Sequence, residues 1–288
     1  MRRKPEWLKT RLPRENSYVN IKKILNEEKL HSVCVEAKCP NISKCWDSGT
    51  ATFMILGDIC TRSCRFCAIK TGNPKGYVDK NEPERLKNAV KKMKLDYVVI
   101  TSVDRDDLLD QGAGIFIETV KLLREYRDDI LIEVLTPDFG GDPGLLEGVL
   151  ESGINVFAHN IEVVRSLSKK FRDVRADYDL SLEVLEMASK NKTNIITKSG
   201  IMVGIGETEK EVLEAMLDVR RIGVKIFTIG QYLQPHKNNI NVQKYINPNT
   251  FEMFRIEGEK MGLKVKSGPL VRSSFEAKQL YSEVKDQF

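Results

Sequence analysis

The sequence predicts an α/β fold in which a parallel sheet is covered by helices, and three observations carry that expectation. Short β-branched runs alternate with longer amphipathic stretches six times after position 50. The strand candidates read as continuous apolar runs, not as strict alternation, which is the pattern of strands buried on both faces. Polar punctuation falls at their C-terminal ends, in "SVDRDD", "TPDFGGD", "HNIE", "GIGET" and "QYLQP". Doubly wound sheets and full or partial (β/α) barrels both place their sites at that edge, so on this pattern the two architectures stand as alternatives.

Taken in order, "TATFMILG" (50–57) is the first strand and leads straight into a cysteine-rich loop. A polar helix follows near 83–94, then the strand "DYVVITS" (96–102) and the helix "IFIETVKLLREY" (115–126). "ILIEVLTP" (130–137) with "GLLEGVLESG" (144–153), and "INVFAHNIE" (154–162) with "SLEVLEMASKN" (181–191), repeat the pairing. "NIITKSGIMVGIGET" (194–208) precedes a helix whose Val212, Met216 and Val219 share one face at i, i+4, i+7 spacing, beside Leu213 and Leu217. "VKIFTIGQYLQP" (224–235) and a helix near 248–262 complete the series. Residues 1–49 and 263–288 stand outside it, so three segments are expected: 1–49, 50–262 and 263–288.

With 288 residues, 41% hydrophobic and 30% charged, the chain has the composition of an ordinary globular protein. No apolar run approaches the ~18–20 residues that span a bilayer, and no membrane association is expected. "MRRKPEWLKTRLPREN" lacks the apolar core of a secretory signal, so a cytoplasmic location is expected. Charge is unevenly placed: residues 1–23 hold eight Lys or Arg against Glu6 and Glu15, a net of +6, so the rest sums to −1. Such a segment is either a solvated basic tail or a docking surface for an acidic macromolecule. Stacking residues are sparse there (Trp7 and Tyr18), which disfavours nucleic acid.

All six cysteines lie between positions 34 and 67. Cys34, Cys39 and Cys45 are spaced C-x4-C-x5-C, and Cys60, Cys64 and Cys67 are spaced C-x3-C-x2-C. Thioredoxin-type chemistry would use Cys64 and Cys67 and leave four cysteines unexplained. A structural zinc site wants paired C-x2-C units, and reduced core cysteines are scattered singly. Thiolates delivered in compact loops suit iron–sulfur clusters, with zinc as the next alternative. Three ligands on a cubane leave one iron open to a small chelating molecule.

The second triplet, with Phe66 before its last cysteine, resembles the signature of the radical S-adenosylmethionine (SAM) superfamily. Both triplets together with "KPEWLK", "TSVDRDDL", "AHNIE", "DVRADYDLSL", "TKSGIMVGIGET", "TIGQYLQP" and "GPLVRSSFEA" resemble the lipoyl synthase family over nearly the whole chain. The resemblance implies a partial (β/α)6 TIM-type barrel of the radical SAM kind with N- and C-terminal extensions. It implies two [4Fe–4S] clusters, one on Cys60, Cys64 and Cys67 that chelates SAM, and an auxiliary one on Cys34, Cys39 and Cys45. Ser274, the second serine of Arg272-Ser273-Ser274, matches the family's fourth ligand to the auxiliary cluster. Without the cysteines, "RSS" reads as a turn or helix cap. The extensions are expected to bring Cys34, Cys39, Cys45 and Ser274 over the barrel mouth.

The implied reaction inserts two sulfur atoms at C6 and C8 of a protein-bound octanoyl chain, the auxiliary cluster donating the sulfur. Implied partners are an octanoylated lipoyl carrier protein (an acidic lipoyl domain or glycine cleavage H protein) and an electron donor such as ferredoxin or flavodoxin. No catalytic acid or base is needed, so His159 and His236 are read as structural or substrate-lining. The chain departs from the family at Phe275, usually Tyr, and Glu276, commonly His. For SAM, the strand ends offer Ser102, Asp104, Asn160 and Glu162, and Gly204 and Gly206 permit close backbone approach. Strand-end capping or salt bridging is the competing explanation for each. Two rivals share part of this pattern: a tRNA methylthiotransferase, disfavoured by the first triplet's spacing, and a non-catalytic zinc module.

Overall fold

The structure, a computed structural model, describes residues 5–9, 15–36, 39–47 and 50–285; of these, the side chains of 15–18, 43, 44 and 47 are not described. The chain divides into two compact units. The first comprises Arg11–Ser63 and Ala68–Phe157, and the second Met1–Thr10, Cys64–Cys67 and Ala158–Phe288.

In the first unit the helices α1 (Glu15–Glu27), α2 (Val33–Glu36) and α3 (Ile42–Asp47) accompany the short strand β1 (His31–Ser32). The repeat then begins with β2 (Thr52–Ile55), and the short strands β3 (Ile59–Cys60) and β4 (Lys70–Thr71) clasp the cysteine loop. It continues through α4 (Glu82–Met93), β5 (Tyr97–Ser102), α5 (Ala113–Tyr126), β6 (Leu131–Leu135) and α6 (Pro143–Leu150). β2 pairs with β5 and β5 with β6, both parallel, in registers that include Met54↔Thr101 and Thr101↔Leu135. β1 adds an antiparallel edge to β2. Phe53, Ile55, Val98, Val99, Ile100, Ile132 and Val134 are all inaccessible to solvent. Successive residues point to opposite faces of a strand, so this run of burial means both faces of the sheet are covered.

The strand β7 (Val156–Ala158) lies where the chain passes from the first unit to the second. The second unit contains α7 (Arg165–Phe171), α8 (Tyr178–Lys190), β8 (Ile196–Val203), α9 (Glu209–Arg221), β9 (Ile226–Gln231), α10 (Pro248–Lys260), β10 (Lys264–Gly268) and α11 (Ala277–Val284). β8, β9 and β10 are parallel, with Lys198↔Ile226 and Ile226↔Lys264 in register. Val212, Met216 and Val219 of α9 pack with Phe227, Phe254 and Val265, while Leu213 is only partly buried and Leu217 is exposed. Thr208 starts α9 through a capping box with Glu211, the arrangement that T-x-x-E encodes. β10 falls inside 263–288, where no strand was expected, because "KVKSG" places only Val265 in the core and has no apolar run.

Candidate metal and cofactor site

β2 ends at a left-handed corner, Leu56 (φ 68°) and Gly57 (φ 82°), which turns the chain into the cysteine loop. The Leu56 N–H donates to the buried Glu82 carboxylate at 2.6 Å, and burial pushes that carboxyl above its ordinary range. β3 and β4 then clasp the loop, with Gly72 N–H donating to the Cys60 carbonyl at 2.9 Å.

Inside the clasp Arg62 is only 6% exposed. Its guanidinium donates to both oxygens of Asp138 at 2.5 and 2.8 Å and to Asp106 at 2.9–3.2 Å, and it pairs with Asp104 at 3.3 Å. One cation thus faces three carboxylates from the ends of β5 and β6. These charge-assisted contacts hold its pKa far above the ordinary value even though burial opposes the charge. Thr61 adds a second tie, donating from Oγ1 to Asp106. Cys60 Sγ lies 3.5 Å from Asp104 Oδ2 and accepts the Arg62 N–H at 3.4 Å. Enclosure pushes the Asp104 carboxyl up, against the pull of Arg62.

Two of the SAM candidates are at this strand end. Asp104 is committed to Arg62 and Cys60. The Ser102 hydroxyl is buried and, among the described residues, has no hydrogen-bond partner. A buried hydroxyl left unsatisfied at a strand end is what a polar group of a bound cofactor would complete.

The second unit holds the rest of the motif. Cys64 and Cys67 form a turn closed by Cys67 N–H to the Cys64 carbonyl at 3.0 Å. Asp173 N–H donates to Cys64 Sγ at 3.3 Å. Asn239 Nδ2 donates to the carbonyls of Arg65 at 3.0 Å and Cys67 at 2.8 Å. Phe66 packs against the buried cluster of Val163, Phe171, Ile205, Tyr232 and Ile240, so the motif's aromatic residue anchors the turn.

Asn160 donates to Glu162 Oε1 at 3.1 Å and accepts from Ser273 Oγ at 3.2 Å. This edge is stitched to β8 by Glu162 N–H to the Gly200 carbonyl at 3.1 Å. Gly204 has φ 98°, and a Cβ there would lie 2.1 Å from Gln231 Nε2 and 2.4 Å from the Lys244 carbonyl. Internal packing alone therefore requires glycine at 204, whereas Gly206 (φ 127°) faces open space. The amides of Gly204, Ile205 and Gly206 all donate to the Glu207 carboxylate, so the loop fills its own anion-binding nest. His159 is buried with Nε2 3.0 Å from Ser181 Oγ, a structural placement, and His236 is exposed.

The first triplet belongs to the first unit. Cys34 sits on α2 with its N–H on Ser32 Oγ at 3.2 Å, and Cys39 N–H donates to the Cys34 carbonyl at 3.0 Å. Cys45 sits on α3, tied to Asn41 O at 2.9 Å. In the second unit, Ser274 lies in a turn closed by Phe275 N–H to the Arg272 carbonyl at 3.0 Å. That segment passes so close to β9 that a Cβ at Gly230 would stand 2.1 Å from the Val271 carbonyl. Phe275 and Glu276 are both engaged by Lys266, through a cation–π contact at 5.7 Å and an ion pair. Of the basic N-terminal residues, Arg2, Arg3, Lys4, Arg11 and Arg14 lie outside the described residues.

The donor set fits iron–sulfur ligation. None of the six cysteines is in a disulfide, and two sulfurs of the second triplet accept backbone N–H bonds, as cluster thiolates do. Sequence reasoning missed Arg62, Glu207, Asn239 and Ser273. The one available signal was a cation placed between two of the clustered cysteines.

Comparison with known proteins agrees with this chemistry. Residues 54–219 match the model of the radical SAM superfamily, and residues 1–39 match the N-terminal domain of lipoyl synthase of that family. Lipoyl synthase of Deinococcus radiodurans is 50% identical over 279 residues, covering 96% of this chain and 84% of that one. Lipoyl synthase of Pyrobaculum calidifontis is 50% identical over 283 residues, covering 97% of each. Among solved structures, methylornithine synthase is similar in fold, with TM-score 0.58 at 15% identity, covering 74% of this chain and 70% of that one.

Proposed function

The chain belongs to the lipoyl synthase family of the radical SAM superfamily, and we propose from that premise how its residues divide the work. The family's reaction inserts two sulfur atoms into a protein-bound octanoyl chain, at C6 and C8, and its cofactors are SAM and [4Fe–4S] clusters. Half the residues shared across 96% of the chain, with both cysteine triplets in place, is the observation that carries the assignment.

Cys60, Cys64 and Cys67 would hold the cluster that takes SAM, and Cys34, Cys39, Cys45 and Ser274 the auxiliary cluster. Bound, these groups supply one-electron cleavage of SAM and the sulfur that is inserted; the protein supplies binding, orientation and exclusion of side reactions. Arg62 fixes the backbone between the first two cysteines by joining it to Asp104, Asp106 and Asp138. Phe66 and its apolar neighbours keep water from the Cys64–Cys67 turn. The unsatisfied Ser102 hydroxyl, with Asn160 and Glu162, would bind the polar groups of SAM, and Asp104 would shape the pocket while paired to Arg62. Gly206 leaves the room that close approach needs.

Residues 1–49 and 263–288 are read as extensions carrying auxiliary ligands, and 50–262 as the barrel. The acyl chain would arrive on an acidic lipoyl domain or glycine cleavage H protein, and the electron from ferredoxin or flavodoxin, with no nucleic acid involved. Among the described residues no helix is long and apolar enough to cross a membrane.

The test supplies SAM, reductant and an octanoylated carrier peptide to the fully loaded protein and follows the peptide by mass spectrometry. Gain of two sulfur atoms is expected; none refutes the assignment. Ser274→Ala should impair sulfur insertion and leave SAM cleavage largely intact, and unchanged lipoyl formation would remove Ser274 from the ligand set.

A further inference from the structure

Beside the Cys64–Cys67 turn, the second unit presents exposed basic side chains and one exposed apolar residue. Arg65, between the two cysteines, is exposed, and so are Lys169 and Lys170 at the end of α7. Arg65 Nη1 donates to the Lys170 carbonyl at 3.3 Å, and its backbone N–H donates to the Phe171 carbonyl at 2.8 Å. The Arg65 guanidinium and the Lys170 ammonium lie 5.8 and 5.1 Å from the centre of the Phe171 ring. Val174, three residues past the Lys169–Phe171 stretch, is 97% exposed. It directly follows Asp173, whose N–H reaches Cys64 Sγ.

Residues 165–175 hold five Lys or Arg against one acid. Three of the five are already engaged: Arg165 by Asp179 and Asp218, Arg172 by Ser181 and the Asp177 carbonyl, and Arg175 by Asp173. Among the described residues, no carboxylate pairs with Lys169 or Lys170. Adjacent cations left without counter-charge create a local positive field that attracts an acidic partner over a distance.

The chemistry of the neighbouring cysteines selects which acidic partner. Resting on the radical SAM reading of Cys60, Cys64 and Cys67, we propose that Arg65, Lys169, Lys170 and Val174 form the docking face for an acidic one-electron carrier protein. Electron transfer falls off steeply with distance, so the carrier must come close to the ligand turn. An acyl chain on a long tether reaches its site without bringing its carrier there. A small exposed face that is mostly basic with a single apolar side chain suits the brief, salt-sensitive encounters of redox partners. In the step, one electron would leave the reduced centre of the carrier and enter the cluster that Cys60, Cys64 and Cys67 would hold. The carrier is oxidised by one electron and the cluster reduced by one, and no atoms change hands.

The test uses the loaded protein, flavodoxin as probe, and the double charge reversal Lys169→Glu/Lys170→Glu, with Val174→Asp as a separate variant. Flavodoxin binding is read at low salt by flavin fluorescence anisotropy, and SAM cleavage is driven either by reduced flavodoxin or by dithionite. The expected result is roughly tenfold weaker binding and a similar loss of flavodoxin-driven cleavage for the double variant, narrowing as salt rises. Val174→Asp should weaken both in the same direction, and dithionite-driven cleavage should not change. Unchanged flavodoxin binding overturns the docking face, as does loss of octanoylated-carrier binding with flavodoxin binding intact. Equal loss with dithionite also overturns it, because the damage would then lie in the cluster site. A wild-type protein that cleaves no SAM with dithionite sinks the functional reading itself, separately from these outcomes.

Discussion

The two cysteine triplets are held by different kinds of structure. Cys34, Cys39 and Cys45 depend on short-range backbone bonds within a few residues: Cys39 to Cys34, Cys45 to Asn41, Thr50 to Cys45. The loop that carries Cys60 depends on buried side chains far away in sequence, because Arg62 reaches Asp106 and Asp138, 44 and 76 residues on. The difference suits their assigned fates. Local ties can re-form after a cluster has been dismantled, since little chain has to be closed again. A cluster kept through turnover benefits from a frame that the whole strand edge holds in place.

The sharpest way to break this comparison is to remove one ligand from each group. Cys64→Ala should lower SAM cleavage by at least about a thousandfold, on the order of 4 kcal/mol. Cys39→Ala should keep SAM cleavage and lose sulfur insertion. Each should lower iron from about eight to about four per chain, read by metal analysis on anaerobic protein. If Cys39→Ala abolishes SAM cleavage, the division of roles fails.

Arg62→Met tests the long-range frame. It removes the guanidinium that both oxygens of the buried Asp138 carboxylate accept from, and breaking such a pair costs about 3–5 kcal/mol. Thermal melts should show the loss, and iron should leave the Cys60 cluster first. Arg62→Lys keeps the charge but not the fork, so its loss should be smaller. Equal iron loss from both triplets would erase the contrast.

Gly230→Ala probes the remote ligand. Its Cβ would stand 2.1 Å from the Val271 carbonyl, so the Ser274 segment must shift. Sulfur insertion should fall about tenfold or more, on the order of 1.4 kcal/mol, with SAM cleavage retained. A variant with normal insertion would show that the segment need not dock on β9.

The smallest effect concerns pH. The Arg105 side chain, helped by the Gly76 N–H, holds the Asp107 carboxyl below the usual carboxylate range. A carboxylate with a lowered folded-state pKa stabilises fully above its unfolded value of about 3.9, and that contribution is lost as pH falls through the folded value. Urea unfolding of the cluster-free protein should therefore lose at most about 1 kcal/mol more across that acidic window than Asp107→Asn does, the range for a solvent-screened pair. Matching slopes would remove the Arg105–Asp107 tie from the frame.

Much of the molecule was legible along the chain. Six apolar runs separated by amphipathic stretches became strands and helices, with β2, β5 and β6 and then β8 and β9 paired in parallel, because burial on both faces leaves a continuous apolar signature. The α9 face was read correctly at Val212, Met216 and Val219. Three features were not legible. β10 has no apolar run, and "GIGET" gives no sign that Glu207 occupies its own nest. A charged residue in a loop would ordinarily be assigned to solvent, yet Arg62 is buried.

By itself the sequence determined the fold class and the family, and it set out the two cysteine triplets. Strand periodicity and ligand spacing are local properties, set by neighbours a few residues apart. Tertiary structure alone decided that Arg62 is the cation inside three carboxylates, that Ser273 bonds to Asn160, and that Lys169 and Lys170 stand beside the Cys64–Cys67 turn. Those pairings join residues tens to more than a hundred positions apart, and electrostatic and hydrogen-bond energies depend on distance in space. Only the folded chain sets those distances.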